Sequence, residues 1–177
     1  YVGFTVLSTA GFATFGVLSF HLATSRILGP PGIPVLYAAA MAVDAVAALV
    51  TGWAYDRVGT RVLFAVPVLS AFVPVLAFGG SLGAAVIGVL LWGAVLGVGE
   101  STMRAAVADL VPAARRGTAY GIFATGYGAA ALVGGLLTGA LHQHALPALI
   151  TVVAVLQGLA LLLLAVTRRQ PVGRSRS

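Results

Sequence analysis

Four acidic side chains occur in this 177-residue chain: Asp44, Asp56, Glu100 and Asp109. Asp44 and Glu100 stand inside long apolar runs. A charged group at the centre of a bilayer costs roughly 2.5–3.5 kcal/mol on insertion scales, so such a residue reads as paired or functional. Glu100 is followed four positions later by Arg104. That order places an ion pair on one helix face, neutralising both groups and pinning the helix. Asp44 has no such local partner. Burial favours the neutral form of a carboxylic acid, which suits a group that loads and releases a proton. Asp44 is therefore the candidate for proton coupling or for contact with a cationic substrate. The plainer alternative is a carboxylate hydrogen-bonded to a neighbouring helix. His142 and His144, two residues apart, lack the third ligand a metal site needs. No metal or other cofactor is implied. His21 reads as an interfacial anchor, with a proton relay as the alternative. Ser81, in "GGSLG", is the candidate nucleophile of a membrane serine protease, but it falls in a turn and nothing pairs a base with it.

The surroundings of these residues are unusually apolar. The chain is 60% hydrophobic and 8% charged, with a mean hydropathy of +1.06. Soluble domains carry about 25% charged residues, so this composition points to a polytopic membrane protein. All ten basic residues are arginine. They fall in short groups between apolar runs, which fits membrane topology rather than nucleic-acid binding. With no cysteine, disulfides and thiolate catalysis are excluded. The chain begins with Tyr1 already in an apolar run, so the natural start is expected upstream.

Six runs have the length of a spanning helix: 1–22, 33–53, 62–80, 84–108, 118–141 and 146–167. They make an all-α transmembrane bundle over 1–167, followed by a basic tail over 168–177. The breaks at "RILGPPGIP", "GGSLG", "DLVPAARRG" and "HQHALP" carry turn chemistry. Arg57, Arg61, Arg115, Arg116, Arg168, Arg169, Arg174 and Arg176 fall on one side of such a bundle and only Arg26 on the other. This bias predicts that both ends are cytoplasmic, in a multi-pass protein of a bacterial cytoplasmic membrane, with His142 and His144 in an outer loop. Polar and aromatic residues recur at helical spacing in the first, second, fourth and fifth runs. Thr5, Ser8, Tyr37, Met41, Tyr120 and Tyr127 are the candidate cavity lining, with Tyr1 on the same stripe as Thr5, and Glu100 and Arg104 join Asp44 as candidates for proton or substrate coupling. The third and sixth runs, poorer in such residues, are expected toward lipid. Mixed stripes of this kind are also ordinary packing faces. Glycine pairs at Gly93/Gly97, Gly117/Gly121 and Gly135/Gly139 permit close helix crossing. Pro67 and Pro74 are expected to bend the third helix.

One further stretch, "GWAYDRVGTR" (Gly52–Arg61), concentrates charge and glycine after the second run. Gly52 allows close approach of a neighbour, and Gly59 permits a tight turn. Asp56 can accept hydrogen bonds from backbone donors at a helix N-terminus. Arg57 and Arg61 hold the loop to the cytoplasmic side.

The pattern Gly-x-x-x-Asp-Arg-x-Gly-x-Arg resembles the signature loop of the major facilitator superfamily, which joins the second and third helices of each six-helix half. "ADLVPAARRGTAYGIFATGYGAAALVGGLLTGAL" resembles the family's tenth-to-eleventh loop and glycine-rich eleventh helix. The resemblance covers nearly the whole chain and implies the carboxyl-terminal half, helices seven to twelve. It implies a secondary active transporter of a small solute, working by alternating access around a midplane site, with a missing amino-terminal half as partner. It also implies that the signature residues Gly52, Asp56, Arg57, Gly59 and Arg61 form a gate latch. The alternatives are a six-span membrane enzyme and an oligomeric channel or structural membrane protein.

Overall fold

The computed structural model describes residues 2–169. Tyr1 and the tail from Gln170 onward lie outside the described residues, so the predicted roles of Tyr1 and of Arg174 and Arg176 are not placed. The helices are α1 (Val2–Ala10), α2 (Phe15–Thr24), α3 (Gly32–Val58), α4 (Ala65–Ala77), α5 (Leu82–Leu110), α6 (Arg116–His144) and α7 (Leu146–Arg169). Short 3-10 turns at Gly59–Phe64 and Ala113–Arg115 precede α4 and α6. No strand occurs among the described residues. Runs of Ala, Leu, Val and Gly fold this way because hydrocarbon supplies no hydrogen bonds, and a helix satisfies its backbone internally. Five helical stretches are long and apolar enough to cross a membrane.

One stretch, Gly32–Ala77, has 46 residues. Straight, it would extend roughly 69 Å, about twice the ~30 Å hydrocarbon thickness. It instead reverses at Gly59. Gly93 of α5 lies against the backbone of Ala40, and Gly97 against that of Asp44, so α3 and α5 run parallel. Gly88 lies against Ala77 and Gly99 near Val66, so α4 runs antiparallel to α5. Gly59 takes φ +62° and ψ −146°, a conformation that essentially only glycine adopts without strain.

The core is built from small-residue contacts. Besides the α3–α5 seam, Gly134 of α6 lies against the backbone of Ala10 on α1. Thr51 and Ser101 hydroxyls meet at 3.0 Å across α3 and α5. The Tyr55 hydroxyl donates to Asp109 Oδ2 at 2.9 Å. α7 packs behind α1 and α4. Its Gln157 is buried, donating Nε2–H to the Ser8 carbonyl at 3.0 Å and accepting from Ser8 Oγ at 3.3 Å. Ser70 of α4 is buried as well. The third and sixth spans thus contribute polar groups to the interior as well as apolar side chains to the periphery.

Several boundaries differ from the sequence reading. The first span is interrupted over Gly11–Thr14, where Thr14 is extended (φ −77°, ψ 152°). The interruption survives because Trp92 Nε1–H donates to the freed Ala13 carbonyl at 2.8 Å, inside the bundle. The signature segment is not a loop: Gly52–Val58 form the last turns of α3, and Gly59–Phe64 a 3-10 turn. Asp109 is still helical in α5. The stretch "HQHALP" collapses to a single linking residue, Ala145, because α6 runs on to His144 and α7 starts at Leu146. Pro67 sits in the first turn of α4, where a missing N–H costs little, whereas Pro74 is inside the helix.

These contacts distinguish two glycines. A Cβ at Gly97 would collide with the Asp44 carbonyl, while one at Gly52 meets nothing within 4 Å. Gly97→Ala is expected to lose about 1–3 kcal/mol through overpacking, and Gly52→Ala to lose none. Thermal unfolding in detergent checks both.

Candidate functional site

A cavity of about 240 Å³ lies between α5 and α6, toward the end where the two helices are joined. Glu100, Met103 and Arg104 line it from α5, and Tyr120, Phe123 and Tyr127 from α6. Arg104 Nη2 donates to Glu100 Oε2 at 3.0 Å, so the predicted i, i+4 pair is formed. Its side chains are 63% and 43% exposed within this chain, so the pair is open to whatever enters the cavity. A pair this accessible contributes only ~0–1 kcal/mol to stability. The Tyr120 hydroxyl donates to the Arg104 carbonyl at 3.4 Å, and the Phe123 and Tyr127 rings stack at 6.1 Å. The cavity therefore offers one anion, one cation, two phenols and an aromatic wall.

Four of the candidate residues, Glu100, Arg104, Tyr120 and Tyr127, meet in this cavity. The others lie elsewhere. Ser8 lines a smaller void with Phe12, Ser70 and Tyr127, and is tied to Gln157. Thr5 is buried one turn away on α1. Asp44 is half-buried opposite Gly97 and does not line the cavity. No hydrogen bond or ion pair reaches its carboxylate among the described residues. Tyr37 and Met41 stand one turn apart on α3, with the Tyr37 ring 4.6 Å from Phe15 and 6.5 Å from Trp92.

That aromatic group was not foreseen. Trp92 stacks on Phe12 at 6.0 Å and meets Phe15 at 5.5 Å, around the unwound Gly11–Thr14 segment. Interrupted helices buried in protein are a recurrent feature of transporter interiors. The sequence signal was the density of small and hydroxyl residues in "STAGFATFG", which weakens a helix without a proline to announce it.

At the signature end, Arg57 lies over the Trp53 ring, 3.3 Å from its centroid, a cation–π contact one helical turn long. Asp56 and Arg61 are exposed. Asp56 borders a shallow depression with Tyr55, Gly59, Ala105, Ala108 and Asp109. Asp109 is engaged by Tyr55, but no hydrogen bond or ion pair reaches Asp56 among the described residues. Gly52 has open space where a close neighbour was anticipated. The close approach is therefore not made among the described residues.

Ser81 is the N-cap of α5, accepting from the Ala84 N–H at 3.3 Å, and no base approaches it among the described residues. At the same end His21, read from the sequence as an interfacial anchor, is buried with Nδ1 3.0 Å from Nε2 of His142, which is helical in α6 rather than in a loop. His144 is the exposed last residue of α6, not part of a loop. Among the described residues no three histidines or carboxylates group to hold a metal.

Comparison with known proteins gives these features a frame. The chain is 47% identical over 164 residues to uncharacterized proteins of Mycobacterium tuberculosis and Mycobacterium bovis. The match takes in 93% of this chain and 40% of each relative's length. No solved structure matches. The family model for the Major Facilitator Superfamily matches residues 1–177. Together with its long apolar helices and its Gly52–Arg61 turn, this match means that the chain is an integral, multi-pass membrane protein belonging to the Major Facilitator Superfamily of transporters.

Proposed function

We propose that this chain is the carboxyl-terminal, six-crossing half of a secondary active transporter that moves a small solute by alternating access. The observation that carries the reading is the cavity between α5 and α6, where Glu100, Arg104, Tyr120 and Tyr127 gather polar groups in an otherwise apolar bundle. The reversal at Gly59 supports counting α3 and α4 as separate crossings, helices eight and nine of the family's twelve. α3 and α6 support the half-transporter reading, because they are the least covered. Added side-chain atoms at Gly52, Gly117, Gly121, Gly126 and Gly128 would meet nothing within 4 Å. Such open small-residue faces suit close helix packing against the other half. The relatives are about two and a half times as long as the matched segment, which leaves room for that half. The arginine distribution supports cytoplasmic placement of the signature end and of both ends of this chain. The family favours a carrier over an enzyme, and the engaged Ser81 agrees with it.

In this scheme the solute enters between the halves and meets the Glu100–Arg104 pair and the phenols of Tyr120 and Tyr127. Asp44 is assigned to proton coupling, because it is an intramembrane carboxylate with no partner among the described residues. Asp56 is assigned to the latch. It leaves the signature turn unpaired and exposed, and pairs with backbone donors at a helix end of the other half when the cytoplasmic side is shut.

Three measurements on the full-length transporter in proteoliposomes test the assignments. Asp44→Asn is expected to abolish accumulation driven by a pH gradient while leaving downhill exchange within about threefold of wild type; unchanged pH dependence and rate would remove Asp44 from the mechanism. The double change Glu100→Gln with Arg104→Gln keeps both side chains hydrogen-bonding but removes their charges. It is expected to fold normally and to lose about tenfold or more in solute binding, equivalent to about 1.4 kcal/mol. A purely structural pair would leave binding intact. Asp56→Ala is expected to slow conformational cycling with solute affinity preserved; loss of affinity with normal cycling would assign the turn to the substrate site instead.

A further inference from the structure

The end of the bundle opposite the signature turn holds a contact that the transport reading does not use. His21 on α2 is 6% exposed, and its Nδ1 lies 3.0 Å from Nε2 of His142 on α6. At that distance one ring donates N–H and the other accepts, so the neutral pair holds one proton between its rings. The rings meet edge to face at 5.2 Å. Phe78, at the end of α4, packs 4.9 Å from His21 and 5.4 Å from His142, and Phe20 packs 5.7 Å from His142. The other His21 nitrogen, Nε2, is buried with no hydrogen-bond partner among the described residues.

No carboxylate is placed to compensate a charge on this pair. α2 presents Ser25, whose hydroxyl is 3.4 Å from His21 Nδ1, followed by Arg26. α4 presents Phe78, and α6 presents His142 itself, then Gln143 and His144. All four acidic residues are on α3 and α5. Even Asp44 faces Gly97, nine residues along α5 from Gly88, the neighbour of Ala77. That is ~13 Å of helix axis.

We propose that His21 and His142 form a proton-binding latch that holds α2 to α6 until both rings are charged. A first proton, delivered by hydronium with release of water, occupies a ring nitrogen outside the contact and leaves the N–H···N bond intact. A second must take the lone pair of the accepting nitrogen. Two N–H donors and two cations then face each other, with no anion between them, and the bond becomes a repulsion. The two rings titrate as one unit with two macroscopic steps. In the orientation proposed above the latch samples the outer medium. Its operation does not depend on that orientation or on which solute is carried.

The test uses the full-length protein in nanodiscs, where both faces see the same pH. Ring-nitrogen NMR of histidine-labelled wild type, titrated from about pH 8 down through the imidazole range near 6.5, is expected to show a hydrogen-bonded accepting nitrogen. That signal should persist through the first step and vanish in the second. In parallel, a cysteine at Gly139, which lies beside Val17 and His142, reports separation of α2 from α6. Its thiol labelling, divided at each pH by that of the denatured protein to remove the falling thiolate fraction, is expected to rise several-fold in the second step. The rise should disappear when His142→Gln or His21→Gln leaves a side chain that cannot charge. Independent titration of the two rings in wild type, or the same acid-induced rise in labelling in both variants, would overturn the proposal.

Discussion

The arrangement rests on one seam, where α5 presses glycine against the backbone of α3. At Gly93 and Gly97 there is no side chain, and the carbonyls of Ala40 and Asp44 occupy that space. In hydrocarbon there is no hydrophobic gain from burying one apolar helix against another, so association depends on close van der Waals contact and occasional polar bridges. The seam supplies the first, and Thr51–Ser101 with Tyr55–Asp109 supply the second toward one end. Because α3 and α5 are fixed in register over this length, two things follow. Asp44 is held beside the α5 backbone, and Glu100 and Arg104, one and two turns beyond Gly97 along nearly the same side of α5, are left to line the cavity shared with α6.

The two ends of the bundle are chemically unlike. The signature end holds Asp56, Asp109 and the arginines at 57, 61, 115 and 116, and its contacts are exposed or half-exposed. The other end has no carboxylate and is closed by aromatic and imidazole rings around His21. Between them, the unwound Gly11–Thr14 segment is capped by the Trp92 indole. α1 and α2 are therefore separate rigid pieces. The first is bound to α6 and α7, and the second meets α6 along Val17, Phe20 and His21.

Much of this was legible in the sequence. Membrane character and the Glu100–Arg104 pair followed from composition and spacing, and the family from the resemblance carried by the Gly52–Arg61 pattern. What escaped has identifiable causes. Helix ends near Val58, Leu110 and His144 overran the predicted breaks, because polar residues such as Asp56, Asp109 and His142 are helix-compatible once they reach the bundle's edge. The interruption at Gly11–Thr14 depends on a donor 79 residues away, Trp92, which no local propensity reveals. The burial of Gln157 against Ser8 spans 149 residues, and the His21–His142 contact 121. These are tertiary pairings between residues whose own neighbourhoods look ordinary. Tyr120 and Tyr127 of the expected lining share a cavity with Glu100 and Arg104, whereas Thr5, Ser8, Tyr37 and Met41 do not reach it, and the open face of Gly52 is intelligible only with coordinates, since a missing neighbour leaves no trace in spacing.

Ala145 is the whole connection between α6 and α7. Consecutive Cα atoms are 3.8 Å apart, so His144 and Leu146 can be no more than about 7.6 Å apart however the bundle moves. Mechanically the two helices are the arms of a pair of tongs joined at the rivet. Their tips can part only at the signature end, and the parting is governed by the two torsions of a single residue. A helix that carries the aromatic wall of the cavity is thereby geared to one that, through Gln157, grips α1. A sideways displacement of α6 reaches the interrupted span by two routes, directly at Gly134 and indirectly through the rivet.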